Sequence, residues 1–417
     1  MNAQIGIALA AGLVLIGCES AEQHVAPNSD AQARAQRIAQ EMLIVDTHID
    51  VPYRLQMEWN DVSQKTAGGD FDYPRAIAGG LNAGFMSIYT DPKLEAEGRS
   101  KEVADTLLDI VDRLVSESPE KFAIALSPED LGKHFEAGLI SLPIGMENGS
   151  PVEGDLDNLQ YFFDRGVRYI TLAHGLSNHI ADSSYDQNRR WQGLSAFGEK
   201  VVQEMNRLGI MIDVSHLSDD AIRDVLALST SPVIASHSSA RHFTPGWERN
   251  LSDELIVKLA DNGGTVMVSF GSIFLRQESL DYDNKRTAAY EEYVDDNSLE
   301  ESDALFATFE SDYAANVAPY PYARLDDVLD HFDHIVSLVG IEHVGIGSDF
   351  DGVGDSLPVG LKGVDGYPNL IKGFIDRGYS EADIGQILGN NLVRVWRNVE
   401  HRATEISAGE SSGAVAE

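Results

Sequence analysis

Eight short apolar runs recur along this chain, and their spacing limits what it can become. They are LIVDTHID (43–50), AGFMSIYT (83–90), LISLPIGMENG (139–149), VRYITLAH (167–174), GIMIDVSH (209–216), SPVIASHS (231–238), GTVMVSF (264–270) and HVGIGSDFDG (343–352). Their apolar stretches are nearly continuous, so as strands they need cover on both faces. Helix-like stretches fill most of the gaps, among them SAFGEKVVQEMNRLG and SDELIVKLADNGG, the latter opened by a Ser cap and closed by glycines. An open doubly wound sheet can be built from such units, but eight of them point to a (β/α)8 TIM barrel. A bare barrel needs roughly 250 residues. The 417 residues here, 43% of them hydrophobic, therefore carry additions, chiefly the acidic, Tyr-rich stretch 276–325.

The runs end in polar residues able to bind metal or move protons. The first ends in His48 and Asp50, the third in Glu147, the fourth in His174, the fifth in His216 and the sixth in His237, while the eighth ends in Asp349 and Asp351. Barrel enzymes build their sites at that rim. A lone histidine there reads as a satisfied structural group. A whole ring of them does not, because each would otherwise be a buried polar group needing its own partner. Imidazoles with carboxylates and no thiolate suit zinc ahead of manganese, cobalt or iron. The ligands exceed the needs of one four-coordinate ion. Two ions about 3.5–4 Å apart, sharing one carboxylate and holding a hydroxide between them, would account for the surplus. His179, His242 and His343 lie near these motifs and read as structural or supporting, and Arg241 as a surface salt-bridge former. The formal charge of −36 excludes nucleic acid as a partner.

The N-terminus carries a different message. MNAQIGIALAAGLVLIGCES has an apolar stretch too short to span a bilayer as a mature helix. It is signal-like, and Leu15-Ile16-Gly17-Cys18 resembles the lipobox of bacterial lipoproteins. The expected organisation is a signal peptide over 1–17, a lipidated Cys18 with a flexible tether over 18–36, the catalytic domain over 37–402 and a disordered tail over 403–417. With Cys18 the only cysteine, no internal disulfide can form. The implied location is the bacterial envelope, periplasm-facing and held to the membrane by lipid. Glu19 in place of a retention aspartate favours the outer membrane.

Taken together, DTHID, IGMENG, RYITLAH, IDVSH, PVIASHSSAR, the RN pair at 249–250 and HVGIGSDFDG resemble the membrane dipeptidases (renal dipeptidase, peptidase family M19) in order and spacing across roughly 40–400. The resemblance implies a barrel of the metal-dependent hydrolase superfamily that cleaves free dipeptides with two Zn2+ ions per chain. It implies that His48 and Asp50 bind one zinc, His216 and His237 the other, and that Glu147 bridges them. It further implies that His174 contacts the substrate carbonyl and its tetrahedral intermediate, Arg249 the substrate's C-terminal carboxylate, and that Asp349 handles the proton. Bacterial relatives that accept a C-terminal D-residue extend the substrate expectation to such dipeptides. Phe274 stands where the mammalian enzyme has a substrate-contacting Tyr, and the mammalian disulfides and glycolipid anchor are missing. The stretch 276–325 has two expected uses, capping the site or making homodimer contacts. Two rival readings are another amidohydrolase-type metal hydrolase and a non-catalytic peptide-binding lipoprotein. The absence of a strand-end lysine to bridge metals argues against the first. The complete ligand set argues against the second.

Overall fold

The computed structural model describes residues 27–413 apart from Glu301. Ten strands are formed, β1 (Ile44–Ile49), β2 (Leu81–Tyr89), β3 (Phe122–Ile124), β4 (Ile140–Leu142), β5 (Ile144–Glu147), β6 (Val167–Thr171), β7 (Met211–Asp213), β8 (Ile234–Ala235), β9 (Thr265–Val268) and β10 (Val344–Ile346). All pairings between them are parallel. Eight close into a ring in the order β1-β2-β5-β6-β7-β8-β9-β10, with β10 returning to β1 at Asp46 opposite Ile346. This is the (β/α)8 barrel. The run 139–149 holds two strands, because Pro143 has no N–H to donate and interrupts the ladder. Its first half, β4, pairs with β2 and with β3 outside the ring, and its second half, β5, enters the barrel.

The ring strands are buried along almost their whole length, as continuous apolar runs require. Outside them lie amphipathic helices. Asp253–Asp261 buries Leu255, Ile256 and Leu259, and Ser252 accepts a hydrogen bond from the Leu255 N–H at its start. Inside the barrel, Val45, Phe85, Tyr169, Met211, Ile234 and Met267 meet Trp396 of the C-terminal helix Asn391–Gly413 in one apolar cluster. Phe85 links the layers, 5.4 Å from the Tyr169 ring and 5.5 Å from Trp396. Gly145 makes room for this packing, since a Cβ there would fall 2.0 Å from the Tyr169 ring. The C-terminal helix thus plugs one end of the barrel and leaves the opposite rim to the polar strand ends.

A helix starts at Pro27, inside the segment expected as tether, and the last helix runs to Gly413, through much of the expected disordered tail. In the last helix the buried face of Leu392, Val395, Trp396 and Val399 anchors it, and residues without core contacts simply continue its register. The signal segment and Cys18 lie outside the described residues. The stretch 276–325 is a helical hairpin, Gln277–Asn297 and Asp303–Asn316. It is clasped by Tyr290 against Phe306 at 4.9 Å and by Arg286, which bonds both Asp283 and Glu310.

Candidate active site

Glu147, the last residue of β5, organises the rim. Its Oε1 lies 3.2 Å from His216 Nε2, 3.2 Å from His237 Nε2 and 3.4 Å from His174 Nε2. Its Oε2 lies 3.4 Å from His48 Nε2, which is also 3.4 Å from Asp50 Oδ2. One carboxylate therefore faces two groups of donors, one oxygen to each. His48, Asp50 and Asp349 form a third close cluster, and His237 also joins the His48–Glu147 group. His48, Asp50, Glu147, His174, His216, His237 and Asp349, all singled out as strand-end residues, come together. Asp351 does not join them, for it turns to Arg54 Nε at 3.1 Å and to the Asp70 N–H at 2.6 Å.

Hydrogen bonds fix which ring nitrogens face the centre. The Tyr169 hydroxyl donates to the Thr47 carbonyl at 3.0 Å, so it accepts from His48 Nδ1 at 2.8 Å. Ser236 donates to Asp213 at 2.6 Å, so its oxygen accepts from His237 Nδ1 at 2.8 Å. Both rings are thereby left with a lone pair on Nε2, aimed at Glu147. His48 Nε2 is buried without a hydrogen bond, and His216 Nε2 sits only 2.8 Å from His237 Nε2. Two lone pairs at that separation repel unless a cation lies between or beside them. Buried nitrogens aimed at a shared carboxylate fit a divalent zinc-like ion, and these donors form overlapping groups able to hold one.

Burial would lower His48, but Tyr169, Glu147 and Asp50 outweigh it and raise its imidazole well above the usual value, so this part of the rim draws positive charge. Burial alone would raise Glu147, but the rings of His48 and His174 outweigh it and hold the carboxyl well below its usual range. Burial, reinforced by Arg249 at His216 and by His48 at His237, pushes both imidazoles well below the ordinary value, so they are neutral and free to ligate. At Asp349, burial pushes the carboxyl up to about 7; Asp50 and Glu147 add to the rise while His48 opposes it. A carboxyl poised there can hold or release a proton near neutrality.

The backbone is strained at the same place. Asn148, His216, Asp349 and Asp351 all have left-handed φ, between 66° and 79°, although none is glycine. Such conformations persist only where the surroundings impose them, and they gather at functional sites.

Arg249 is 2% exposed. Its guanidinium donates to Ser238 Oγ and to the His237 carbonyl, both at 2.8 Å, touches His216 Nε2 at 3.0 Å and lies 5.0 Å from the Phe274 ring centre. Among the described residues no carboxylate forms a salt bridge with it. Trp247 stacks on Phe274 at 5.4 Å, and Tyr185 packs edge-on against Trp247 at 6.1 Å and near His216 at 5.8 Å. Tyr185, in the loop after β6, was not singled out from the sequence. It is 39% exposed, and its hydroxyl hydrogen-bonds to Arg249. Tyr169 and Asp213, which orient the ligands, were missed as well. Their only sequence signal is a polar residue at a buried strand position. Elsewhere, Arg241 pairs with Asp219 at 2.9 Å, His179 with Glu95 at 3.1 Å, and His343 Nδ1 with the Gly264 carbonyl at 2.8 Å, as supporting groups should. His242 stacks on His334 outside the barrel, where the two form an exposed cluster with Asp253.

The sequence profile of the membrane dipeptidases (peptidase family M19) matches residues 32–410. The chain belongs to this family. It is 34% identical over 347 residues to dipeptidase aclJ of Aspergillus oryzae, an alignment covering 81% of this chain and 72% of that one. The fold is similar to the probable dipeptidase PvdM from Pseudomonas aeruginosa, with a TM-score of 0.78 and 29% identity, covering 90% of this chain and 99% of the other. It is also similar to a metallo peptidase from Rhodobacter sphaeroides solved with a phosphinate mimic of L-Ala-D-Ala, with a TM-score of 0.71, 24% identity and coverage of 86% and 99%. The rim cluster brings together groups of residues able to hold a metal ion, as suits a metallo-dipeptidase of this family.

Proposed function

We propose that the protein is a binuclear zinc dipeptidase that hydrolyses the peptide bond of free dipeptides, including some with a C-terminal D-residue. The observation that carries the reading is Arg249. It is a buried guanidinium without a carboxylate partner among the described residues, and it touches the same His216 that faces Glu147. A buried cation left short of an anion is a site for one, and its planar fork matches a carboxylate. His48 and Asp50 would hold one zinc, His216 and His237 the other, with Glu147 shared between them. When bound, such ions lower the pKa of water and polarise a carbonyl.

The chain's own residues supply the rest. Arg249, with the Tyr185 hydroxyl beside it, binds the substrate's free carboxylate and sets the register of the scissile bond. His174, only partly buried and 3.4 Å from Glu147, donates toward the oxygen on which negative charge develops. Asp349, balanced near neutrality, takes the proton from the attacking water and delivers it to the leaving amine. The test is a panel of L,L- and L,D-dipeptides, their C-terminal amides and the matching tripeptides, assayed with the metal content measured. Cleavage confined to free dipeptides is expected. Equal turnover of amides and tripeptides would remove the carboxylate-reading role.

We also assign the protein to the bacterial envelope, anchored through lipid on Cys18. Cys18→Ala should abolish lipid attachment and processing; unchanged mass and fractionation would remove the anchor while leaving the enzyme reading intact.

A further inference from the structure

The cleft above the metal-binding cluster has a second wall that the chemistry does not use. Its floor is Asp50, Glu147, His174, His216 and Asp349, and its volume is about 950 Å³. That is at the top of the roughly 300–1,000 Å³ range that encloses drug-sized ligands, far more than two small residues fill. The extra room is walled by the hairpin 277–316 and the segment that follows it, through Tyr282, Arg286, Phe306, Glu310, Tyr320 and Tyr322.

What this wall offers is ring surface. Most of its polar atoms are engaged, with Arg286 bonded to Asp283 and Glu310, the Tyr282 hydroxyl to the Ala318 carbonyl at 2.9 Å, and the Tyr322 hydroxyl to Asp355 at 2.7 Å, while the Tyr320 hydroxyl has no hydrogen-bond partner among the described residues. The Tyr282 ring stands edge-on to Tyr320 at 5.3 Å, and Tyr320 in turn to Tyr322 at 4.8 Å. From the β1–β2 side, Tyr53 and Tyr89, in edge contact at 5.1 Å, line the same cleft. Yet Tyr282, Phe306, Tyr320 and Tyr322 are only half-buried, so part of their ring surface stays open to an occupant. The two carboxylates beside Arg286 leave one acidic charge in excess, but burial raises Asp283 and so weakens that charge.

We propose that the hairpin forms a side-chain subsite that selects dipeptides bearing a bulky aromatic side chain. This rests on the dipeptidase reading and adds the substrate class. An apolar pocket contact of this kind is worth about 10–200-fold in kcat/KM. The experiment compares the zinc-loaded full chain on Ala-Ala, Phe-Ala, Ala-Phe, Lys-Ala and Ala-Lys, then repeats it with Phe306→Ala and Phe306→Leu. The wild type should favour one of the two Phe dipeptides over Ala-Ala by at least about tenfold. In Phe306→Ala the Phe-to-Ala ratio should fall most of the way to one, and Phe306→Leu should keep part of it. Thermal melts of both variants accompany the assay; if Phe306→Ala does not fold, the ratio in Phe306→Leu and in Tyr282→Ala decides by the same criterion. Cleavage of Ala-Ala with no preference for Phe, a preference for Lys, or a ratio unmoved in the variants overturns the subsite and leaves the dipeptidase reading standing. Cleavage of none of the five overturns both.

Discussion

At the floor of the cleft, Glu147, His216 and His237 are almost wholly buried, and the ring nitrogens of His48 and His237 are oriented through Tyr169 and Ser236. On the hairpin wall of the same cleft, Phe306 and Tyr282 are half-buried, and their neighbours are other rings of the insertion. The floor belongs to the barrel strands, and its residues are held by elements far apart in the chain. The wall is a local excursion between β9 and β10 that packs largely on itself. Chemistry here is over-determined by the scaffold, while selection is left to a part that can change without disturbing it.

The contrast makes graded predictions. Glu147→Gln should lose at least one metal ion and lower kcat/KM by on the order of 10⁴, because several kcal/mol of charge stabilisation go with it. Full metal occupancy with near-normal turnover, read by elemental analysis and kinetics, would mean that this carboxylate is not shared. Arg249→Ala comes next. Losing a desolvated charge pair costs about 2–5 kcal/mol, or roughly one and a half to four decades in kcat/KM for free dipeptides. The variant should discriminate far less than the wild type between acid and amide substrates. A smaller effect is expected at Tyr169→Phe, which removes the acceptor for His48 Nδ1 and should weaken metal binding about 10–100-fold in a chelator competition. Were that variant to bind metal as tightly as the wild type, the floor would be less tightly specified than the contrast requires.

The smallest effect lies away from the cleft. Burial, with Glu129 adding, raises the Glu400 carboxyl to about 7, while Arg168 opposes. Between its ordinary range and that value the folded state holds a proton that the unfolded chain has lost. Its stabilising contribution is therefore complete at low pH and is lost as pH rises toward 7. Glu400→Gln should flatten the fall of Tm with pH in that window and raise Tm at pH 8 by on the order of 1 °C. An unchanged slope would locate the titration elsewhere.

The floor was legible in the sequence because each of its polar residues ends an apolar run, and parallel strands in a barrel deliver all their ends to one rim. His48, Asp50, Glu147, His174, His216, His237 and Asp349 needed only that rule to be gathered. The break at Pro143 was visible as a residue but not weighed against the run around it. Tyr185 and the Tyr169 and Asp213 supports were not legible, since their partners, Arg249, His48 and Ser236, are set by tertiary geometry. The hairpin was recognisable as an addition by its composition. Which way it folds depends on contacts such as Arg286 with Glu310 and on where β9 and β10 place its ends.

The seam of the barrel also fixes a timetable. β1 is the first ring strand made and β10 the last, yet they pair, and Ser348 donates to the His48 carbonyl across 300 residues. Asp349 reaches His48 and Asp50 only after that pairing forms. A chain still emerging from the ribosome can hold all five residues proposed to bind metal, His48, Asp50, Glu147, His216 and His237, but not Asp349 or the closed ring. A site assembled before that closure would lack its proton carrier, so turnover is a property of the finished barrel even where metal loading is not.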